Sequence, residues 1–272
     1  MKMRNIKPRF DAFVFNANLD VSRVCEHFEL LGFSLLAHSA TLGYRYAYIL
    51  ELGGLNHGLI QYGGDNVGTG VYVSVTGSHS ERVRDSVQHW DAKLLRADVA
   101  LDFDGDKYFS AIALDLVNLA KDKKLKTSTV GDWAQRIGGR TLYIGSRQST
   151  YMIRLYEKYK QKGVDCGGSE LIRLELEIKP ALHARITSFT MTALELLSCA
   201  KTYAPIYEKY LQLTEAQSLT KPRKMTNHEK AFAQMIKQYQ KTIEKQLDLS
   251  GGCLDTFYRS LTDHPNWKNE NE

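Results

Sequence analysis

Three short segments of the sequence place polar side chains at every second position, and this pattern constrains the fold more than any other feature. They are residues 96–102 (RADVALD), 152–158 (MIRLYEK) and 171–178 (LIRLELEI). Successive side chains of a β-strand point to opposite faces, so each segment predicts a strand with one apolar face and one ionic face. Such strands are typical of an antiparallel sheet that covers a core with only one of its faces.

The rest of the sequence predicts helices and further strands that alternate over short connections. Helical spacing of apolar residues, glycine-rich turns and Pro180 mark the ends of these elements. The predicted strands are residues 11–15, 44–52, 59–62, 71–75, 94–103, 140–144, 152–158 and 171–179, and the predicted helices are 21–31, 80–90 and 108–123. We therefore expect an α+β fold in which helices pack on an antiparallel β-sheet, with a helical C-terminal segment from residue 190.

Composition excludes several classes of protein. Of 272 residues, 43% are apolar and 25% are charged, which rules out disorder and collagen-like repeats and allows a sizeable core. No run approaches the roughly 18 apolar residues of a membrane-spanning helix. The four cysteines form no CxxC pair, so we expect a cytoplasmic protein with reduced thiols and no membrane partner.

The positive charge is concentrated near the C-terminus. Residues 221–247 contain seven basic and two acidic residues, and this balance of +5 equals the net charge of the whole chain. Within them, residues 227–247 predict an amphipathic helix in which Lys237 and Lys241 flank an apolar stripe. The lysines either follow a DNA backbone or form a solvated face, and the stripe packs on the body of the protein or on a second copy.

The ionic faces of the three alternating strands allow two interpretations. A solvated sheet face with cross-strand ion pairs explains each strand taken singly. Taken together, four carboxylates on one shared face would repel one another unless a cation lies among them; they are Asp98, Asp102, Glu175 and Glu177. Hard oxygen ligands select Mg²⁺ or Mn²⁺, so the pattern favours a divalent metal beside Tyr156.

Four blocks of polar residues follow one another along the chain. They are R-x-D-x-x-x-D (Arg96, Asp98, Asp102), T-x-Y-x-G-S-R-x-S (Thr141, Tyr143, Gly145, Ser146, Arg147, Ser149), R-x-Y-x-K (Arg154, Tyr156, Lys158) and R-x-E-x-E (Arg173, Glu175, Glu177). In this order they resemble the replication initiation factor family, the Rep_trans type of rolling-circle initiator found in small plasmids and filamentous phages. The resemblance spans roughly residues 71–179.

The resemblance implies a core like that of nicking endonucleases, in which a tyrosine attacks DNA next to a bound Mg²⁺ or Mn²⁺ ion. By position in the blocks, the nucleophile is Tyr156 and the metal ligands are drawn from Asp98, Asp102 and Glu175. The wider nicking superfamily uses a His-hydrophobic-His metal motif, and none of the eight histidines here has that spacing. Carboxylates would have to take the place of the histidines.

A tyrosine nucleophile needs help at neutral pH because its ordinary pKa is near 10. Arg154 and Lys158 stand two residues on either side of Tyr156, so we expect them to activate the hydroxyl and neutralise the scissile phosphate. Three further arginines either clamp DNA phosphates or pair with carboxylates of the sheet: Arg96, Arg147 and Arg173.

Three other tyrosines compete with Tyr156 as nucleophile. Tyr151 and Tyr159 have the opposite parity on the same predicted strand. Tyr143 belongs to an adjacent strand and either contacts DNA or packs.

The resemblance implies a rolling-circle initiator that nicks one strand at an origin, keeps a 5′-phosphotyrosine link and frees a 3′-OH primer. Alternatives are a conjugative relaxase and a non-enzymatic DNA-binding regulator of replication. Expected partners are double-stranded and single-stranded origin DNA, with a homodimer and a host helicase as further candidates. We expect an N-terminal α+β subdomain (residues 1–70), a catalytic nicking domain (71–189) and a helical segment with the basic helix (190–272).

Overall fold

The computed structural model describes residues 6–65, 68, 70–135, 137–161, 167–211 and 227–263. The chain forms two compact units, residues 1–221 and residues 222–272. The predicted strands of residues 1–70 and 71–189 all belong to one sheet within the first unit. The boundary between these compact units differs from the boundaries of the three functional domains predicted above. Those three domains stay a prediction.

The first unit is built on a ten-stranded sheet whose neighbouring strands are all antiparallel. Its order is β2-β3-β4-β5-β1-β6-β10-β9-β8-β7, so β1 and β6 lie at its centre. The strands are β1 (Arg9–Ala17), β2 (Ser34–His38), β3 (Tyr46–Leu52), β4 (Leu55–Tyr62), β5 (Val71–Thr76), β6 (Ala92–Asp104), β7 (Thr127–Gly131), β8 (Arg140–Gly145), β9 (Tyr151–Glu157) and β10 (Leu171–Ile178).

Helices bury the apolar face of the sheet. The helices of the first unit are α1 (Val21–Leu30), α2 (His79–Val87), α3 (Lys107–Lys123), α4 (Arg185–Phe189), α5 (Ala193–Cys199) and α6 (Ala204–Leu211). Three turns of 3₁₀ helix occupy Lys158–Lys160, Leu182–Ala184 and Lys201–Tyr203. In the centre of the core, Phe13 and Phe15 of β1 pack on Phe189 with ring centroids 5.6 and 5.5 Å apart. The opposite face of the sheet is left for polar side chains.

Local sequence explains where the helices begin. The side chain of Asp20 accepts a hydrogen bond from the Ser22 backbone N–H at 2.8 Å and so caps α1. A capping box starts α5, because Thr192 and Glu195 each satisfy a backbone N–H of the other. Each cap fixes the point at which an apolar helix face turns onto the sheet.

The α+β fold with an antiparallel sheet and packed helices is confirmed. The eight predicted strands are present, and the sheet gains two at its edges that the sequence pattern did not predict, β2 and β7. Across the described ranges, the helices are all too short or too polar to cross a membrane.

Residues 227–263 of the second unit form two helices, α7 (Asn227–Leu249) and α8 (Leu254–Thr262). Apolar side chains along α7 are largely exposed within the described structure, and the predicted stripe is present there as Phe232, Met235, Ile236 and Tyr239. Lys237 and Lys241 are exposed on the same helix. Whether they contact DNA stays a prediction.

Candidate functional site

The register of β6, β10 and β9 brings the polar positions of the three alternating strands into rows. Arg173 pairs with Asp102 on one side and with Tyr156 on the other. One step along the strands, Glu175 pairs with Arg154. Cross-strand neighbours project to the same face, so the predicted ionic face is shared by all three strands.

Tyr156 and Glu175 are joined by a hydrogen bond. The Tyr156 hydroxyl donates to Glu175 Oε2 at 2.9 Å. The other carboxylate oxygen of Glu175 accepts from Arg154 Nη2, and the same nitrogen donates to Asp98 Oδ2 at 2.7 Å. Tyr156, Glu175, Arg154 and Asp98 therefore form one connected group, which we call the tyrosine cluster.

The tyrosine cluster is buried enough to change its protonation chemistry. Burial, with the nearby carboxylates of Asp98 and Asp11, raises the pKa of Glu175 to about 7, although Arg154 opposes this. Burial and the charge of Glu175 raise the pKa of Tyr156 well above its ordinary value. Burial and Glu175 thus oppose ionisation of Tyr156, so a nucleophilic Tyr156 would need a base to take its proton; the predicted roles of Arg154 and Lys158 stay a prediction.

A second group of charges adjoins the tyrosine cluster. Arg173 is almost fully buried and donates to both oxygens of Asp102 at 2.6 and 2.9 Å, and to Asp11 Oδ1 at 2.5 Å. Arg9 contacts the same Asp102 carboxylate. Burial favours the neutral form of Asp102, but hydrogen bonds from Arg173 outweigh it and lower its pKa below the ordinary value.

Arg96 holds the third group. Its guanidinium donates to both oxygens of Asp98 at 2.7 and 2.5 Å and lies 3.1 Å from Glu177. Lys179 pairs with Glu177 at 2.7 Å. Arg96 remains about one third exposed, whereas the carboxylates that it binds are buried.

The tyrosine cluster lines a cavity of about 250 Å³ that is open to the solvent. Its lining includes Asp11, Arg96, Asp98, Arg154, Tyr156, Lys158 and Glu175. A second cavity of about 310 Å³ is also lined by Tyr156 and Arg154, together with Tyr143 and Thr141 of β8. Tyr156 therefore lines two cavities that are open to the solvent.

The other predicted site residues lie at different distances from this centre. Lys158 lines the same cavity, and burial together with the charge of Arg173 lowers its pKa. Arg147 is exposed in the turn between β8 and β9, where its carbonyl accepts from Lys179 Nζ at 2.6 Å. The Tyr159 hydroxyl contacts the Glu157 carboxylate at 3.4 Å. Glu157 has the opposite parity to Tyr156 on β9.

The predicted metal ligands do not converge on one ion in this arrangement. No three acidic, histidine or cysteine side chains within the described ranges are grouped so that they could hold a metal. Asp102 is held by Arg173 and Arg9, while Asp98 and Glu175 share the guanidinium of Arg154. Arginine charges thus take the place that the sequence argument gave to a divalent cation, so the residues as arranged do not fit a bound ion.

Sequence reasoning missed two members of the site. Asp11 reaches Arg173 from β1 and lines the cavity, and Arg9 binds Asp102. Asp11 was hidden because a register irregularity between Phe10 and Ala12 interrupts the alternation of β1. Its neighbours Phe13 and Phe15 are core residues, so strict alternation would have placed Asp11 in the core.

Comparison with known proteins gives a family and a fold. A model of the replication initiation factor family (Rep_trans) matches residues 92–248, which is more than half of the chain. A rolling circle replication initiator protein from Geobacillus stearothermophilus has a similar structure, with a TM-score of 0.50 and 20% sequence identity over 71% of this chain and 83% of that chain. Among curated proteins, no significant match was found.

Proposed function

The chain belongs to the replication initiation factor family, and on this premise we propose that it starts rolling-circle replication by nicking one strand of origin DNA with Tyr156. The observation that carries the proposal is the 2.9 Å hydrogen bond from the Tyr156 hydroxyl to Glu175, at the wall of an open cavity. A nucleophile joined to a base is the arrangement that covalent catalysis requires.

In the proposed reaction, Tyr156 Oη attacks the phosphorus of one phosphodiester while Glu175 Oε2 takes its proton. The bond from phosphorus to the 3′-oxygen breaks as the bond to tyrosine forms, so a 5′-phosphotyrosine and a 3′-OH result. One ester replaces another, and the strand can later be resealed by the reverse reaction. Glu175 suits the role of base because its pKa of about 7 lies close to neutral pH.

Arg154 would neutralise the phosphate. Its Nη2 holds Asp98 and Glu175, and its buried Nε has no hydrogen-bond partner in the described part of the chain. When Glu175 becomes protonated, one of the two anionic partners of Arg154 turns neutral. The guanidinium can then bind the charge that develops on the phosphoryl oxygens.

Lys158 would protonate the leaving 3′-oxygen. It lines the same cavity as Tyr156, and its lowered pKa makes the ammonium a better acid than an ordinary lysine. Arg96, partly exposed beside Asp98, would contact the neighbouring phosphate. We retain Arg147, Lys237 and Lys241 as proposed contacts to flanking DNA, and a homodimer and a host helicase as proposed partners.

The decisive experiment uses supercoiled plasmid carrying the chain's own origin, incubated with Mg²⁺ or Mn²⁺ and the full-length protein. We expect nicked circles and a protein-linked 5′ end whose tyrosine is identified by mass spectrometry as Tyr156. Tyr156→Phe should abolish both products. Tyr159→Phe, on the same segment with the opposite parity, is the matched control and should nick like the parent.

Glu175→Gln tests the assignment of the base. Glutamine has the same shape and can still accept the hydroxyl hydrogen bond, and Arg154 keeps Asp98 as a partner, so the folded variant should nick about 10²- to 10⁴-fold more slowly. Nicking by Tyr156→Phe at the parental rate would refute the proposed nucleophile. Specific origin binding without any nicking by the parent would favour the non-enzymatic regulator instead.

A further inference from the structure

The large sheet is built from two copies of one pattern. In the first copy, β1 is followed by α1, by the strands β2 to β5, and by α2. In the second copy, β6 is followed by α3, by β7 to β10, and by α4. In each copy the last strand pairs with the first, and the sheet order reads outward as 1-5-4-3-2 and 6-10-9-8-7. The two copies meet where β1 pairs with β6.

The register of each copy identifies equivalent positions. In the second copy, one row of cross-strand neighbours runs Asp102, Arg173, Tyr156. In the first copy, the corresponding row runs Asn16, Tyr72, Gln61. Asn16 lies five residues before the start of α1 at Val21, and Asp102 lies five residues before the start of α3 at Lys107. The two rows are therefore equivalent.

The first copy has the position of the catalytic row without its chemistry. Gln61 replaces the proposed nucleophile and accepts hydrogen bonds from the N–H and hydroxyl of Thr41 at 2.6 and 2.9 Å. Asn16 replaces the carboxylate of Asp102, and Tyr72 replaces the guanidinium of Arg173. A row of amides and an aromatic ring cannot perform transesterification. Gln61 is buried, and Asn16 is the member of this row that lines a cavity.

A cavity of about 570 Å³ lies beside this row. Its lining includes Asn16, Asn18, Tyr44, Gly70, Lys93 and Arg185. The ring of Tyr44 lies 5.7 Å from that of Tyr72, and a Cβ atom on residue 70 would overlap the side-chain oxygen of Asn16. Glycine at position 70 thus leaves room for the Asn16 amide at the wall of the cavity.

Two cations of this wall have no carboxylate partner within the described ranges. Lys93 is exposed and makes no ion pair there, and Arg185 makes only a long hydrogen bond of 3.4 Å to the carbonyl of Pro180. Asp91, the acidic residue of the lining, is already bound by the Asn18 side chain at 2.8 Å. The wall therefore offers an aromatic ring, an amide and two available cations.

We propose that this cavity binds one unpaired nucleotide of single-stranded DNA, with the base on Tyr44, its edge at Asn16 and its phosphate between Lys93 and Arg185. Stacking on an aromatic ring and a cationic groove are the two elements by which proteins hold single strands. The choice of DNA as ligand rests on the proposed function, whereas the site rests on the cavity and on the duplicated pattern.

The nucleotide in this cavity would belong to the strand being nicked, at a distance from the scissile phosphate. Lys93 at this cavity and Asp98 of the tyrosine cluster lie five residues apart on β6, which corresponds to about 16 Å of extended strand. Both cavities are lined by residues of β6, Lys93 in one and Arg96 in the other. A strand several nucleotides long can therefore engage both at once, and a short one cannot.

The test is binding of fluorescein-labelled (dT)20, measured by anisotropy without any nicking step. Tyr44→Ala should reduce the affinity about 5- to 150-fold, the range that corresponds to losing one stacked base. Lys93→Glu should also weaken binding, whereas the same charge change at the exposed Lys123 on the helical side of the sheet should not. Melting temperatures of the variants verify that they are folded.

Photocross-linking places the base directly. In a (dT)20 series with one 5-iodouracil at successive positions, we expect cross-links to the peptide that contains Tyr44. Parental affinity in both Tyr44→Ala and Lys93→Glu, or cross-links confined to other peptides, would overturn the inference. So would saturable binding of dTMP to the cavity with no effect of the variants on (dT)20.

The outcomes separate this inference from the proposed function. A protein that fails to nick its origin but loses (dT)20 affinity on Tyr44→Ala retains the nucleotide site. A protein that nicks through Tyr156 but whose cavity variants bind (dT)20 like the parent retains the nicking proposal and refutes the site.

Discussion

Glu157 follows the proposed nucleophile in sequence, and its replacement by glutamine should destabilise the first unit strongly. Its side chain is fully buried on the face opposite Tyr156. The carboxylate accepts from the backbone N–H of Arg140 at 2.7 Å, from its Nε at 3.1 Å and from its Nη2 at 2.8 Å. Lys160 adds a fourth contact at 3.0 Å.

The size of the effect follows from what remains after the change. Glutamine has one oxygen, and its amide nitrogen would face the buried Arg140 guanidinium, whose remaining contacts are Asp106 at 2.9 Å and the ring of Phe109 at 4.1 Å. Breaking one partner of a buried ion pair costs about 3 to 5 kcal/mol. For a unit of this size we therefore expect the melting temperature to fall by about 6 to 20 °C.

The assay is thermal unfolding of the full chain followed by circular dichroism, with Asp65→Asn as the control. Asp65 pairs with Arg45 on the surface, where both side chains are more than half exposed, so its loss should cost less than about 1 kcal/mol. A shift below about 2 °C for Glu157→Gln would refute the reasoning.

The stability difference between the parent and Glu157→Gln should depend on pH. Burial favours the neutral acid, but hydrogen bonds from Arg140 and Lys160 prevail and lower the pKa of Glu157 to about 2 from its ordinary 4.5. Its contribution is complete above pH 4.5 and is lost as the pH falls toward 2. Parent and Glu157→Gln should therefore converge in stability between these values, and a constant difference down to pH 2 would contradict the assignment.

Two further predictions concern the base and the sheet edge. Only ionised Glu175 can accept a proton, so the nicking rate should rise as the pH increases through about 7. In single-turnover assays, the nicking rate of Glu175→Gln should not change with pH in this range. A parental nicking rate that is independent of pH would contradict the role of Glu175 as the base. Gly131 has a φ of +95°, and a Cβ there would overlap the carbonyl oxygen of Gly139. A Cβ at Gly53 would meet no other atom, and its positive φ costs about 1 to 2 kcal/mol. Gly131→Ala should therefore lower the melting temperature more than Gly53→Ala, and equal shifts would refute the steric argument.

The central strands could be predicted from sequence because their two faces differ. Residues at alternate positions of β6, β9 and β10 are either apolar and buried or charged and gathered on the other face. The edge strands lack this contrast. All five residues of β7 are exposed, and β2 is exposed at four of five positions. β7 forms by pairing with β8, and β2 forms by pairing with β3. The local sequence of β7 and β2 does not predict this pairing.

The candidate site was predictable as a location but less so as a network of charges. Alternation places Tyr156, Glu175 and Asp98 on one face, and the register then decides which of them touch. Alternation within a strand shows which charges share a face, but it does not show which charges of neighbouring strands lie opposite one another. It therefore could not show that Arg154 would bridge Asp98 and Glu175, and it treated repulsion between carboxylates as a demand for a metal.

This bridge leads to a prediction about the metal that the family resemblance implies. Asp98 and Glu175 are hard oxygen donors of the kind that Mn²⁺ prefers, and the cation now between them is Arg154. Arg154→Ala would leave Glu175 without its ion-pair partner and Asp98 with Arg96 alone, so it should bind Mn²⁺ at least about tenfold more tightly than the parent, equivalent to about 1.4 kcal/mol. Isothermal titration calorimetry measures the affinity, and the double variant Arg154→Ala, Glu175→Gln should lose the gain. Equal Mn²⁺ affinity of parent and Arg154→Ala would show that the guanidinium and the metal do not compete for these carboxylates.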